Sequence, residues 1–207
     1  FIMDSISDKR IDVSHVRVEK DKVTANNRTY LTAGGDRYYK DDSWTGDIVD
    51  KMILNHDELE FIKKSDVVFV HFCFGQIIDL KKNNNFRLAV DFVEYRNFKE
   101  MEKYAPYIDY FMISGEKSIL PIFEAFSKKY KGLFNVSLAD KGSVTYHNGE
   151  KYFVQANEVK EVIDTTGCGD SYHAGFVCSH LINGNIYEAM RVGTELATET
   201  LSHYGGF

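Results

Sequence analysis

The chain has 207 residues, of which 43% are hydrophobic and 27% are charged, and its formal net charge is −6. This size allows a substantial buried core without disulfides or metals, and the acidic balance disfavours nucleic-acid binding, which needs a basic face to replace counterions. Three widely spaced cysteines form no C-x-x-C pair, and no apolar run reaches the roughly 18 residues of a membrane span, so we expect a cytoplasmic protein without a disulfide framework or membrane insertion.

The first 45 residues have the pattern of a small β unit. Short alternating runs occupy 16–18, 23–32 and 37–39, and the glycines at 34–35 with Asp36 are a turn signal. Alternation with period two predicts strands, and short connections predict antiparallel pairing. We therefore assign residues 1–45 to a mainly β unit with its connections.

From residue 46 onward, strand and helix patterns alternate. The candidates for buried strands lie at 67–74, 87–92, 110–114 and 133–138. Helical stretches separate them, and this rhythm is typical of a parallel sheet covered by helices. We therefore assign residues 46–207 to an α/β core.

A glycine-spaced turn at 164–171 is the most informative stretch of the chain. A Val- and Tyr-rich segment at 152–163 precedes it, and apolar residues at helical spacing follow it. The turn is therefore predicted to open a helix, which we place from about Ser171 to Asn183. A Gly after Asn183 ends this helix, and a second one is predicted over 186–203.

The residues of this turn suit a bound phosphate. Gly167 and Gly169 have no Cβ, so an anion can approach their backbone closely, and the helix start offers unpaired N–H groups and partial positive charge. Asp170 would stand beside the phosphate, where it could accept the proton of an attacking hydroxyl. An isolated G-x-G before a helix is more often only a tight turn, with Asp170 as a capping residue.

The full string at 164–170, Asp-Thr-Thr-Gly-Cys-Gly-Asp, resembles the C-terminal signature of the ribokinase (PfkB) family of carbohydrate kinases, which usually has Ala at the position of Cys168. The resemblance extends along the chain through 11–16, 24–25, 35–37, 91–92, 108–111 and 204–207. Within the family, the resemblance is to the fructoselysine kinases. Most family members have Asn at the position of Ser114, whereas the fructoselysine kinases also have Ser there. Family members also carry an N-terminal strand and a Gly-Gly-Asn sugar-binding segment that this sequence does not contain, so the resemblance predicts that a segment precedes Phe1.

The resemblance implies a ribokinase-like α/β fold, with a mostly parallel sheet flanked by helices and a small antiparallel β lid. The lid closes over the sugar and pairs with the lid of a second subunit to form a homodimer. The implied reaction transfers the γ-phosphoryl group of ATP to a primary hydroxyl of fructoselysine or a related sugar–amine conjugate. The implied cofactors are ATP and Mg²⁺, with K⁺ bound through backbone carbonyls.

The resemblance also assigns roles to individual residues. Asp170 is the implied catalytic base, and the backbone N–H groups of Gly167, Cys168 and Gly169 stabilise the transferring phosphoryl group. The residues implied for nucleotide binding are Ser114, Ser137, Ala139, Gly142 and Gly193, with Ala139 at a position where the family usually has Gly. The residues implied for metals are Glu116 for a hydrated Mg²⁺, and Asp164, Thr166 and Gly205 for K⁺.

Two residues are candidates for contact with the substrate. Asp91 follows the apolar run 88–90 and would emerge at a strand end, where it could bond a sugar hydroxyl, or it is a loop-capping Asp. Arg37 in the β unit could contact an anionic part of the substrate, or it is a solvated edge charge. Taken alone, Ser114 and Ser137 are more often loop or capping serines, and Glu116 is equally a surface carboxylate at a helix start.

Two alternatives to a fructoselysine kinase remain open. The first is a kinase of the same family that acts on another sugar or on a nucleoside, because one motif serves the whole family. The second is a degenerate member that binds ligand without turnover. The sequence contains neither H-E-x-x-H nor G-x-x-x-x-G-K-[ST], which argues against a zinc hydrolase and a P-loop enzyme.

Overall fold

The computed structural model describes residues 3, 6, 10–18, 20–31, 37–46, 53–71 and 75–205. The chain divides into two compact units, residues 1–58 and 59–207, and each is described by itself. The side chains of Leu31 and Arg37 lie outside the described part of the chain, as does the predicted turn at 34–36.

The first unit contains two short antiparallel strand pairs. Strand β1 (Asn26–Asn27) pairs with β4 (Trp44–Thr45), and β2 (Tyr30–Leu31) pairs with β3 (Arg37–Tyr38). The Tyr30 and Tyr38 rings stack across the second pair with centroids 5.5 Å apart, and the Lys40 ammonium lies 4.1 Å from the Tyr30 ring. Such cross-strand contacts stabilise short antiparallel pairs. The predicted small antiparallel β structure is confirmed, although it forms two pairs instead of one continuous sheet.

The second unit is built on a six-stranded mixed sheet. Its strands in chain order are β5 (Val67–Val70), β6 (Arg87–Asp91), β7 (Tyr110–Ser114), β8 (Leu133–Ser137), β9 (Ser143–His147) and β10 (Glu150–Val154). The order across the sheet is β10-β9-β8-β7-β6-β5. The first four strands run parallel, as the sequence predicts, and the β9–β10 hairpin extends the sheet with antiparallel strands.

Helices precede, connect and follow these strands in the chain. They are α1 (His56–Ile62), α2 (Gly75–Lys81), α3 (Phe98–Tyr104), α4 (Leu120–Lys129), α5 (Cys168–Asn183) and α6 (Ile186–Thr200), with 3₁₀ turns at Ala105–Tyr107, Lys117–Ile119 and Ala139–Lys141. Helix α1 covers the boundary between the two units in sequence. None of the helices described has both the length and the apolar composition needed to cross a membrane.

The central strands are apolar on both faces because helices pack on both sides of the sheet. Successive side chains of a strand point to opposite faces. Phe111 of β7 therefore packs against Phe123 of α4, with ring centroids 5.6 Å apart, whereas its neighbour Met112 belongs to the core cluster that includes Phe176 of α5 and Met190 of α6. Burial on both faces explains why β6, β7 and β8 read as continuous apolar runs in the sequence.

Helices α5 and α6 approach each other at two glycines. A Cβ added to Gly175 would lie 3.1 Å from the Gly193 Cα atom, and one added to Gly193 would lie 2.7 Å from the Tyr172 carbonyl oxygen. Only residues without a side chain fit at such short backbone separations. Gly193 therefore has a packing role, and the nucleotide-binding role implied for it remains a prediction.

We expect Gly193→Ala to destabilise the second unit by about 1–3 kcal/mol, because the new methyl group meets backbone atoms that cannot move aside. In a chain of this size, each kcal/mol of lost stability lowers Tm by roughly 2–4 °C. Thermal unfolding followed by circular dichroism measures it. Gly75→Ala is the matched control, since nothing lies within 4 Å of its added Cβ. Equal melting temperatures of the two variants would contradict the close-packing argument.

Candidate active site

The predicted turn at the start of α5 is present. Gly167 has φ of +80° and stands at the N-cap, and α5 begins with the next residue, Cys168. A left-handed φ of this kind favours glycine, because any side chain at this position would be strained. A Cβ added to Gly169 meets nothing within 4 Å, so the first turn of α5 is open to an approaching ligand. The helix starts three residues earlier than predicted, which places both Gly169 and Asp170 inside its first turn.

Asp170 is exposed in this first turn. Within the described part of the chain, its carboxylate makes no hydrogen bond or ion pair. The N-terminal end of the helix dipole favours a negative charge here. The side chain is thus available to a ligand rather than engaged in holding the fold together.

The three residues implied for K⁺ are brought together by the Asp164 carboxylate. Its Oδ1 accepts hydrogen bonds from the Thr166 backbone N–H at 2.9 Å and from the Thr166 hydroxyl at 2.8 Å. Its Oδ2 accepts from the Gly205 N–H at 3.1 Å. Asp164 therefore connects the turn before α5 to the segment after α6. The K⁺ role of these residues remains a prediction.

A cavity of about 1020 Å³ opens beside the start of α5. Its lining includes seven of the residues predicted for the site, namely Ser114, Glu116, Ser137, Ala139, Gly142, Cys168 and Gly169. These residues come from the carboxyl ends of β7 and β8, from the loop after β8 and from the start of α5. Ligands bind at this edge in open α/β sheets. We call this cavity the cleft.

Ser114 and Ser137 lie next to each other at the edge of the cleft. They are register partners at the ends of β7 and β8, and the Ser137 hydroxyl donates to the Ser114 Oγ at 3.1 Å. The Arg96 guanidinium donates to the Ser114 carbonyl oxygen at 2.7 Å. Arg96 also lines the cleft, but the sequence offers no local pattern that distinguishes it from other exposed arginines.

The loop after β8 adopts two unusual backbone conformations. Ala139 has φ of +54°, and Gly142 has φ of +89° with ψ of −145°. The family's usual Gly at position 139 is therefore explained by a left-handed backbone, which Ala adopts here at a cost of about 1–2 kcal/mol. A Cβ added to Gly142 would lie 2.1 Å from the Val154 carbonyl oxygen, so this position requires glycine.

We expect Ala139→Gly to raise the free energy of unfolding by about 0.5–1 kcal/mol. Relief of the left-handed strain exceeds the extra entropy that glycine gives the unfolded chain, about 0.4–1 kcal/mol. Urea unfolding measures the difference. Asn148→Gly is the control, because Asn148 also has a positive φ, of 51°, yet Asn tolerates the left-handed region with little strain. A lower stability of the Ala139→Gly variant would contradict this account.

Asp91 is the last residue of β6 and is only 6% exposed. Its Oδ1 accepts from the Val93 N–H at 2.8 Å, and its Oδ2 lies 3.4 Å from His173 Nδ1 and 4.0 Å from His71 Nδ1. Burial raises the pKa of Asp91, but the neighbouring His173, then the Val93 hydrogen bond and His71, outweigh burial and hold the pKa below its ordinary value. The carboxylate is therefore charged at neutral pH.

The Asp91 region is connected to the edge of the cleft through Val93. This residue has φ of +52°, a genuine outlier for a β-branched side chain. Its N–H donates to Asp91, and its carbonyl oxygen accepts from the Ser114 N–H at 2.8 Å. Two hydrogen bonds thus hold a strained backbone between the predicted substrate residue and the predicted nucleotide residue. The loop-capping interaction that the sequence left as an alternative for Asp91 is also present, in its bond to Val93.

A buried polar network that sequence reasoning missed lies beneath the cleft. Asn135 Nδ2 donates to the Thr145 hydroxyl at 2.8 Å and to the Tyr172 Oη at 2.9 Å, and the Tyr172 hydroxyl donates to Ser143 Oγ at 2.9 Å. Burial raises the pKa of Tyr172 to about 12, so its hydroxyl keeps its proton. Asn135 is the polar residue inside the apolar run of β8, and it is the one feature of the sequence that could have indicated this network.

The implied ligands can be tested against the residues present. The open first turn of α5 and the cleft beside it fit the phosphates of a nucleotide. Within the described ranges, no group of three or more His, Cys, Asp and Glu residues could hold a metal ion. A single carboxylate such as Glu116 in the cleft suits Mg²⁺, which usually keeps several waters and binds through one or two carboxylates together with phosphates.

Arg37 is the first residue of β3 in the first unit, and its predicted contact with the substrate remains a prediction.

Comparison with known proteins places the chain in a family. The family described as pfkB family carbohydrate kinase matches residues 1–206. The fructoselysine 6-kinase of Shigella flexneri is 26% identical over 206 residues, which are 95% of this chain and 76% of that protein. Among solved structures, adenosine kinase from Sinorhizobium meliloti has a TM-score of 0.70 at 19% identity, over 88% of this chain.

A putative ribokinase II from E. coli, in complex with ATP and Mg²⁺, has a TM-score of 0.64 at 15% identity, over 86% of this chain and 65% of its own. The chain spans 62% of the adenosine kinase. These likenesses confirm the predicted ribokinase-like fold, in which the cleft and the α5 turn occupy one edge of the sheet. The chain therefore belongs to the pfkB family of carbohydrate kinases.

Proposed function

We propose that the protein is an ATP-dependent kinase that phosphorylates a primary hydroxyl of fructoselysine or a related sugar–amine conjugate. The observation that carries the proposal is the start of α5. There Gly167 is an N-cap with positive φ, Gly169 is unobstructed and Asp170 is exposed, all within four residues. Of this turn, Cys168 and Gly169 line the cleft, and Asp170 follows them in the first turn of α5. Phosphoryl transfer needs mainly positioning, charge stabilisation and a base at the nucleophile, and this turn offers groups for each of these.

The nucleotide is proposed to bind in the cleft with its phosphates at the start of α5. The N–H groups of Gly167, Cys168 and Gly169 would stabilise charge on the transferring phosphoryl group. Ser114, Ser137 and the loop containing Ala139 and Gly142 would contact the rest of the nucleotide. Mg²⁺, when bound, would neutralise charge on the phosphates, and Glu116 would hold one of its waters.

Asp170 is proposed to act as the base on the acceptor. Its carboxylate accepts the hydroxyl proton as the acceptor oxygen forms its bond to the γ-phosphorus, and the bond from that phosphorus to the β–γ bridging oxygen breaks to release ADP. Asp91, which is charged and lies at the end of β6, is proposed to accept a hydrogen bond from the substrate. Arg37 in the first unit is proposed to contact an anionic part of the substrate.

A substrate panel tests this proposal. Purified protein is incubated with ATP and Mg²⁺ and with fructoselysine, fructose, ribose or adenosine, and ADP release is measured together with the phosphorylated product. The highest kcat/KM is expected for fructoselysine. The panel is run with the 207-residue chain. No turnover of fructoselysine would contradict the proposed substrate.

A nucleoside or another sugar is the second candidate substrate. The structural likeness to an adenosine kinase, with a TM-score of 0.70, is the observation that favours a nucleoside. The curated relative named for fructoselysine favours the first candidate, because its alignment includes 95% of the chain. A higher kcat/KM for adenosine in the same panel would support the nucleoside. ATP binding without turnover of any acceptor would support the non-catalytic alternative.

We also propose a homodimer formed through the first unit, as the resemblance implies. Exposed apolar side chains in this unit, including Val18, Val23 and Trp44, support such an association. Sedimentation at several protein concentrations distinguishes a monomer from a dimer, and a monomer at all concentrations would contradict the proposal.

K⁺ dependence is tested in the kinase assay by replacing K⁺ with Na⁺, and equal rates in both would argue against a K⁺ site.

A further inference from the structure

His173 is a buried titratable residue that the proposed phosphoryl transfer does not use. It lies in α5, one helical turn after Asp170, and it is 1% exposed. Neither of its ring nitrogens makes a well-formed hydrogen bond to any atom of the described part of the chain. Buried polar groups are nearly always paired, and an exception needs an explanation.

The ring of His173 faces Asp91 on one side and aromatic rings on the others. Its Nδ1 lies 3.4 Å from Asp91 Oδ2, within reach of the carboxylate but without the alignment of a good hydrogen bond. The ring centroids of Phe69 and Tyr172 are 6.3 and 5.6 Å away. Packing alone would be served equally well by a phenylalanine, which leaves no buried nitrogen without a partner. The unpartnered Nδ1 therefore indicates a role in which Asp91 takes part.

The two oxygens of Asp91 have different surroundings. Oδ1 is held by the Val93 N–H at 2.8 Å, and this bond belongs to the strained loop after β6. Oδ2 accepts no backbone hydrogen bond within the described part of the chain, and it faces the imidazoles of His173 and the exposed His71. Two fixed points define the plane of a carboxylate, whereas one leaves it free to rotate. His173 is the buried group in position to provide the second point.

We propose that His173 is a positioning residue of the acceptor site: its Nδ1–H holds Asp91 Oδ2, so that the carboxylate keeps one orientation when the sugar binds. This inference rests on the proposed function, because it takes Asp91 as a substrate-binding residue. The bond forms when the substrate draws the carboxylate into its final place and shortens the present 3.4 Å separation of Nδ1 and Oδ2. Since His173 and Asp170 are on successive turns of α5, the same helix then sets the position of both the base and the group that orients the acceptor.

Matched substitutions test the proposal. His173→Phe keeps an aromatic ring but removes the donor, whereas in His173→Asn the amide nitrogen takes the place of Nδ1. His173→Phe is expected to raise KM for the sugar about tenfold, the loss typical of one hydrogen bond to a charged group. Its kcat and its KM for ATP should change less than about threefold, because the interaction lies at the acceptor. His173→Asn is expected to restore the sugar KM to within about threefold of the parent value.

The outcomes separate this inference from the proposed function. If Asp91→Asn raises the sugar KM and His173→Phe leaves it unchanged, Asp91 binds substrate and the role of His173 is wrong. Equal losses in His173→Phe and His173→Asn would overturn the inference in favour of packing. If Asp91→Asn leaves the sugar KM unchanged, the substrate role of Asp91 fails and the inference fails with it. Turnover of no acceptor by the parent protein would instead contradict the proposed function itself.

A measurement on the parent protein keeps the proposal testable even if a variant does not fold. Long-range ¹H–¹⁵N spectra of the histidine rings report which nitrogen carries a proton. The inference requires a proton on Nδ1 of His173, and the signal is assigned by its absence from the spectrum of His173→Asn or by sequential assignment of α5. An unprotonated Nδ1 at neutral pH would overturn the proposal, because only Nδ1 faces the carboxylate.

Discussion

Asp170→Asn is expected to lower kcat by about 10²–10⁴-fold, the usual contribution of a positioned general base. The amide cannot accept the hydroxyl proton at the moment of transfer. Because Asp170 is exposed and its side chain makes no hydrogen bond or ion pair within the described part of the chain, folding and ATP binding should be nearly unchanged. Steady-state kinetics with saturating sugar measure kcat, and isothermal titration with a non-hydrolysable ATP analogue measures nucleotide affinity.

Asp79→Asn is the matched control for this variant. Asp79 is an exposed carboxylate that pairs with Lys82 at 2.8 Å, and it lies on α2 rather than in the turn at the start of α5. A surface ion pair of this kind contributes little, so the control should keep the parental kcat and melting temperature. Near-normal turnover in Asp170→Asn would remove this residue as the base. Loss of ATP binding in the same variant would indicate a role in the nucleotide site.

Gly142→Ala is expected to be the most destabilising single substitution in the loop between β8 and β9. Its added Cβ would lie 2.1 Å from the Val154 carbonyl oxygen and 2.9 Å from the Ala156 nitrogen, both in the backbone. The φ and ψ of Gly142, +89° and −145°, also lie close to a region that only glycine populates. Together, strain and overlap should cost about 3–5 kcal/mol of unfolding free energy. Urea unfolding measures the loss.

Gly115→Ala is the control for this effect. Its added Cβ would also be close to another atom, 2.4 Å away, but that atom is the terminal Cδ1 of Ile119, which can rotate aside. The control should therefore lose about 1 kcal/mol or less. Similar losses in both variants would show that the backbone contact with Val154 is not the reason that residue 142 is glycine.

The sheet could be predicted where one physical signal dominates. Strands β6, β7 and β8 are buried on both faces, and their apolar runs stand out from the surrounding helical patterns. The β9–β10 hairpin was missed because its first strand buries Ser143 and Thr145, which pair with the network under the cleft. The dipeptide Asn148-Gly149, with both φ values positive, was the turn signal that could have identified the hairpin.

The candidate site could be predicted where it depends on local sequence. The turn before α5 has its own glycine spacing, whereas only the family resemblance singled out Ser114 and Ser137, which local sequence alone would assign to loops or caps. The contact between His173 and Asp91 could not be predicted, because it joins residues far apart in the chain through the packing of α5 on the sheet. The left-handed Val93 was also unpredictable, since valine disfavours that conformation and only the hydrogen bonds around it impose it.

The contact between Gly175 and Gly193 has a consequence for how the site works. At this crossing the two helix backbones are in close contact, which leaves α5 little room to tilt or slide against α6. The dipoles at its first turn therefore keep a fixed direction before any ligand arrives, and the free energy for aligning them is provided when the chain folds rather than during each catalytic cycle. In the proposed mechanism the first turn of α5 is the stationary part of the site, and the substrates are the parts that must be brought to it.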